Sequence, residues 1–310
     1  MEHAEPGDMV HLEDGVYGDR LKSTRDGEEG SPITVIGGPG AIINTDHTRS
    51  VEVTHSYIHL VGFSVDGFHG SDDTMDSWVD KCVWVEGEVE DGMITHIEGF
   101  IMRDMTIRNC GSECVRLKNF VTGAIITNNL IQDCGIYDYV LSDGKEDKNG
   151  EGVYIGTAED QVLDSPLECL FFLLRLKWDG DGNIEDICNL NYVSGNTFET
   201  NGNECVDIKE GSTENVIERN TCSNQLDENA GCFSSRGNAN TIRFNKASNC
   251  NGAGVRLGGD EAIGNQYGHS NNVYGNEIVD AEFACLKVES ENQGLICGND
   301  CNDGDNMIRG

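Results

Sequence analysis

The amino-acid sequence predicts an all-β chain wound as a single-stranded, right-handed parallel β-helix with coils of about 22–27 residues. Two observations lead there. A short motif, an aliphatic residue followed three places later by Asn, recurs along most of the chain. A second family of short strands follows it, alternating apolar and polar residues. The composition agrees: glycine is plentiful (39) and proline scarce (4), which suits many turns between short strands.

The motif is read in IITNN, YVSGN, VIERN, TIRFN, NVYGN and LICGN. Its asparagines are Asn129, Asn196, Asn220, Asn245, Asn276 and Asn299, with Asp104 in a similar place one step earlier. The paired aliphatics are Ile101, Ile126, Val193, Ile217, Ile242, Val273 and Ile296. A single coil is too short to bury its own apolar side. Coils stacked about 4.8 Å apart merge those sides into one continuous core. Asn tolerates the left-handed bend between strands, and its amide can bond from coil to coil. The long steps, 129 to 196 and 245 to 276, must hold an extra coil or inserted loops. The pattern does not set the hand, but parallel crossovers are almost always right-handed. The whole chain, 1–310, is expected to be one β-helix domain with an irregular insertion near 160–187.

A second column is formed by CVRLK, GVYIG, CVDIK, CFSSR, GVRLG and CLKVE. Side chains alternate along a strand. The second and fourth places are apolar and should face inward, which leaves the first, third and fifth facing out. Arg116, Lys118, Lys209, Arg236, Arg256 and Lys287 then share one outer face, with Tyr154 and Asp207 among them. Lys209 and Arg236 are expected on successive coils. As an outward residue, Lys209 should be removable with little loss of stability. Cys114, Cys205, Cys232 and Cys285 would be stacked column residues, with Cys205–Cys232 the pair most able to close.

The net charge of −34 should repel nucleic acid and anionic membranes. No apolar run approaches the roughly 20 residues that a membrane-spanning helix needs. The opening MEHAEPGDMV lacks a leader pattern and reads as a mature chain with an added methionine. A monomer is expected. DGDGNIED places Asp179, Asp181, Asn183 and Glu185 at alternate positions, as in an oxygen-rich calcium loop or a plain acidic turn. Asn44-Thr45-Asp46 and Asp72-Asp73 suggest the clustered aspartates of a hydrolase, but their strands are out of hydrolase order.

The recurring coils, with the opening GDMVHLEDGVYG and the segment SPITVIGGPGAII, resemble secreted parallel β-helix proteins of the pectate-lyase-like superfamily. GEGVYIGT and CVDIKEGS, followed by a strand-Arg-Gly-Asn coil, are more distantly similar to the chondroitinase B and alginate lyase family. That resemblance implies an extracellular protein acting on an acidic polysaccharide by β-elimination. It implies Lys209 as base, Arg236 as its partner on the next coil, and calcium held by acids shortly before the lysine. Glu204 matches one of those acids, whereas Gly202 stands in the place of another. Tyr154 is a possible proton donor. Arg116, Lys118, Asp207, Arg256 and Lys287 would contact the sugars. The residue types suit the chemistry: a cation neutralises the uronate carboxylate, and a neutral lysine takes the neighbouring proton. Asp207 and Glu210 work against a neutral lysine. A non-catalytic carbohydrate-binding or structural β-helix is the alternative.

Overall fold

The computed structural model describes residues 1–90, 93–142, 149–158, 163–164, 183–184, 186–258, 267–302 and 308–309. Three parallel sheets of ten strands each dominate it, and each coil contributes one strand to every sheet. Typical coils read Ile101–Arg103, Thr106–Arg108, Val115–Lys118 and then Tyr192–Ser194, Thr197–Glu199, Val206–Ile208. The fold is the parallel β-helix expected from the sequence. One apolar column fills each inner wall. In the first sheet, Met102, Ile126, Val193, Ile217, Ile242 and Val273 are in register and buried.

The asparagine motif forms a hydrogen-bonded ladder. Asn129 donates its backbone N–H and its side-chain amide to Asn196 Oδ1 at 2.9 and 2.8 Å. Asn196 repeats this onto Asn220, Asn220 onto Asn245, Asn245 onto Asn276, and Asn276 onto Asn299. Direct bonding of Asn129 to Asn196, and of Asn245 to Asn276, shows that each long step advances the ladder by a single coil. A parallel ladder runs through Asn191, Asn215, Asn240 and Asn271. The residue before each motif asparagine takes positive φ, as in Asn128, Gly195 and Gly275. That left-handed bend favours the Gly and Asn found at four of the six places, and Arg219 and Phe244 adopt it at the other two. Asp104 shares it, in line with Asn128 and not with the motif asparagines as the sequence suggested.

The cysteines depart from the expectation of stacked thiols. Among the described residues, five disulfides join Cys82–Cys110, Cys114–Cys134, Cys205–Cys222, Cys232–Cys250 and Cys285–Cys301. Cys205 and Cys232 are neighbours in the third sheet yet bond elsewhere. Each bridge runs from a residue in or just before a third-sheet strand to one in or just after the second-sheet strand of the next coil, so it staples successive coils across an inner corner. The reason lies in the bend of the chain at that corner. The ladder pairs Arg49 with Lys81 and Val51 with Val83 but has no rung at Ser50 and Cys82. The bend turns two consecutive residues inward, so Cys82, Cys114, Cys205 and Cys232 lie in the core rather than facing out. Cys188 (buried) and Cys297 (exposed) are free thiols.

The insertion expected near 160–187, including the stretch 162–178, lies largely outside the described residues. Among those described, no helix is long and apolar enough to cross a membrane. Of the hydrolase-like residues, Asp72 accepts from Thr74 and Ser77, and the Asn44 amide binds the carbonyls of Asp66 and Phe68.

Two outcomes follow from this frame. Peptide mapping of unreduced protein should recover all five bridges, and Cys205 paired with Cys232 would contradict them. Asn220→Ala leaves the buried Asn196 backbone N–H on the preceding coil without its acceptor and the Val193 carbonyl without its donor, so denaturant unfolding should show a loss of about 1–3 kcal/mol.

Candidate active site

Three rows of side chains run along the outer face of the third sheet. The middle row is Trp84, Arg116, Tyr154, Asp207, Ser234, Arg256 and Lys287, one residue per coil. Two places later in each strand lies the row Glu86, Lys118, Gly156, Lys209, Arg236, Gly258 and Glu289. Three places before the middle row stand Glu113, Glu151 and Glu204 on three successive coils.

The rows converge at Lys209. Its ammonium pairs with Asp207 and lies 3.9 Å from Glu151 Oε1. It also stands 4.1 Å from the centre of the Tyr154 ring. The Arg116 guanidinium carbon is 3.4 Å from the same ring centre, so Tyr154 touches two cations. Arg236, on the next coil, reaches Asp207 Oδ2 at 3.3 Å and Glu210 Oε1 at 3.5 Å. Arg116 is fixed by Glu113 at 2.9 Å, and Glu113 also meets Lys81 at 3.1 Å.

The expected solvent-facing cationic strip is therefore corrected. Lys209 is 5% exposed, Arg116 3%, Tyr154 3% and Asp207 1%. The cations interleave with carboxylates that keep them charged in a buried place. Arg116 pairs with Glu113 and lies over the Tyr154 ring. Arg256 and Lys287 lie on the following coils and share Glu289 at 2.6 and 2.8 Å. Lys118 lies toward the N-terminal coils, partly exposed. The expectation that Lys209 can be truncated without loss fails as well, because its removal strands buried carboxylates.

Glu151 and Glu113 were missed in the sequence. The signal was present, since Glu directly precedes CVRLK, GVYIG and CVDIK. Strict alternation gives the place after it to the outer face, whereas the corner bend turns that place inward and leaves the glutamate facing out.

Burial raises the Glu151 carboxyl to about 7, aided by Glu113 and Asp207 and opposed by Lys209. Burial, with Asp207 and Glu151, pushes Glu204 well above the usual carboxylate range. Burial alone would lower the Lys209 ammonium, but Asp207, Tyr154, Glu151 and Glu204 outweigh it and hold it well above the usual lysine value. Burial drives the Tyr154 phenol up to about 12, partly offset by Lys209 and Arg116, so it keeps its proton at neutral pH.

Glu151, Glu204 and Asp207 each offer an oxygen within 4.8 Å of the others. Glu204 Oε2 and Asp207 Oδ1 are buried without a hydrogen-bond partner. Clustered carboxylates that lack donors fit a hard divalent cation such as calcium. Of the acidic loop named from the sequence, Asp179, Asp181 and Glu185 lie outside the described residues, and Asn183 is described only within the strand Asn183–Ile184. If the trio takes calcium, adding the ion should raise the melting temperature, by about 2.7 kcal/mol in stability at a hundredfold excess over Kd. Glu204→Gln should remove that rise in a calorimetric scan.

No family model and no curated protein matches the chain. Solved structures do. An alginate lyase from Paenibacillus sp. str. FPU-7 superposes with a TM-score of 0.76 at 18% identity, over 99% of this chain and 93% of that one. A pectate lyase gives 0.56 at 13% identity, over 96% and 72%. A mannuronic-acid-specific family 6 polysaccharide lyase from human gut microbiota gives 0.54 at 17%, over 93% and 62%. At these identities the likeness establishes the fold: this chain is built like right-handed parallel β-helix polysaccharide lyases.

Proposed function

We propose that this protein is an exported lyase that cleaves a uronic-acid polysaccharide by β-elimination, with alginate the first substrate to test. The observation that carries the reading is the convergence of Lys209, Tyr154 and Arg236 on one buried, carboxylate-lined point of a β-helix face. Fold alone would not suffice, since one fold hosts many chemistries. Five disulfides support an oxidising compartment. The acidic surface suits a solvated medium, with no affinity for nucleic acid.

In this mechanism Arg236 takes the carboxylate of the sugar to be cleaved as a guanidinium fork. That charge pairing makes the adjacent carbon acid easier to ionise. Lys209 removes the proton from that carbon, and Tyr154 gives its phenol proton to the departing glycosidic oxygen. The product carries a carbon–carbon double bond next to the carboxylate. Arg116, stacked on the Tyr154 ring, holds the phenol in place. Glu151, Glu204 and Asp207 would hold a divalent cation, which when bound supplies positive charge against these acids and the sugar carboxylate. Lys209 must shed its proton to act as base, and neutralising those acids favours that form.

One observation supports the non-catalytic reading. The same carboxylates hold Lys209 protonated, and an ammonium ion binds anions but abstracts no proton. The two readings separate in one assay. Wild type should convert alginate, or another polyuronate, to product absorbing in the ultraviolet. Lys209→Arg keeps a buried charge beside Asp207 but cannot act as base, so turnover should fall by roughly 10²–10⁴ with polymer binding retained. Arg236→Lys should also lose turnover, because an ammonium cannot reproduce the fork. Full activity in Lys209→Arg would remove Lys209 as the base. Binding without product, wild type included, would leave a binding module.

A further inference from the structure

We propose that Arg49 and Lys118, gathered around the indole of Trp84, form a subsite for a further carboxylate of the bound polymer, two coils toward the N-terminus from Tyr154. The proposal rests on the polyuronate reading above. It adds the direction in which the polymer extends and the residues that hold it.

The placement comes from the register. Trp84, Arg116 and Tyr154 occupy the same row on three successive coils. At about 4.8 Å per coil, Trp84 lies about 10 Å along the axis from Tyr154, a span of about two sugar units. The Arg49 guanidinium carbon lies 3.6 Å from the centre of the indole, and the Lys118 ammonium 5.4 Å from it. Lys81 also approaches, at 5.7 Å, but it is already paired with Asp80 at 2.8 Å and Glu113 at 3.1 Å.

Arg49 and Lys118 are not satisfied in that way. The acid both meet is Glu86, at 3.9 and 3.8 Å, beyond hydrogen-bond reach. The Glu86 oxygens are already engaged, accepting from the Trp84 indole N–H at 2.8 Å and the Asn119 amide at 3.0 Å. Among the described residues both cations thus pair with this one carboxylate, each of whose oxygens already accepts a hydrogen bond. Both remain partly open to solvent, with side-chain exposures of 31% and 23%. Burial, opposed by Glu86, and the nearby Arg116 and Arg49 hold the Lys118 ammonium below its usual value. An arriving carboxylate relieves that crowding. The indole fixes the Arg49 plane, so little side-chain freedom is lost on binding. At the other end of the face, Arg256 and Lys287 are both held by Glu289 at 2.6 and 2.8 Å, so the polymer gains more from extending toward Trp84.

The test is direct binding in the Lys209→Arg background, by titration calorimetry, with disaccharides and hexasaccharides of alginate, polygalacturonate and chondroitin. Arg49→Gln with Lys118→Gln should weaken the hexasaccharide that binds by roughly tenfold or more, the loss of one charge-assisted contact or more. The disaccharide should change little. Lys118→Arg should retain hexasaccharide binding, and the salt dependence of the double variant should be shallower. A thermal scan of each variant separates lost binding from lost fold. Equal weakening of short and long chains, unchanged hexasaccharide affinity, or no binding by any of the three polymers would overturn the subsite. Length-dependent binding without unsaturated product from wild type would end the lyase reading and leave the subsite standing.

Discussion

Everything in this molecule depends on parallel coils stacking in register, one backbone ladder spacing apart. Once Ile126 lies over Val193 and Val193 over Ile217, each other residue of the coil is assigned a column. A column of aliphatics becomes core. A column of asparagines becomes a hydrogen-bonded spine, because each side-chain amide satisfies a backbone N–H and a carbonyl of the preceding coil and donates to the asparagine of the next. A column of charged residues becomes a face on which neighbours in space are far apart in sequence. Lys209 and Arg236 are neighbours for that reason, as are Arg116 and Tyr154.

The same constraint explains how the chain tolerates a site so heavily charged and so thoroughly buried. Burying carboxylates and ammonium groups is expensive unless they pair. Here the pairs alternate along and across the rows: Lys81 with Glu113, Glu113 with Arg116, Lys209 with Asp207, Asp207 with Arg236. The network still leaves Glu204 Oε2 and Asp207 Oδ1 without donors. Groups left in this state on a rigid scaffold are where function is expected. The rigidity has a covalent part. Cys205–Cys222 is anchored directly after Glu204 and Cys114–Cys134 directly after Glu113, so two of the three aligned glutamates stand beside a staple between coils. Bridges closing loops of this size contribute about 3 kcal/mol each in the chain-entropy account.

Much of the fold was legible in the sequence, because its signals are local and repeated. The Asn motif, the aliphatic three places before it and the alternating strands each recur often enough to align without any structure. The alternation also placed Lys209, Arg236, Tyr154 and Asp207 on one sheet face, since within a strand it depends on backbone geometry alone.

Tertiary structure decided what alternation could not reach. Backbone bending at the corner turned Cys82, Cys114, Cys205 and Cys232 inward and paired them across coils, where their column order suggested open thiols. The same bend set Glu113, Glu151 and Glu204 on the outer face, so the acidic side of the site went unread. Burial was equally invisible: Arg116 and Lys118 sit two residues apart on one strand, yet one is locked under its neighbours and the other partly open. Whether a lysine is an exposed binder or a buried, carboxylate-bound group depends on what three successive coils place around it. The sequence by itself determined the coil and its columns, because periodicity is a property of the chain. The charge state and accessibility of each column were decided by contacts between residues on different coils, up to dozens of positions apart, and those exist only once the coils have stacked.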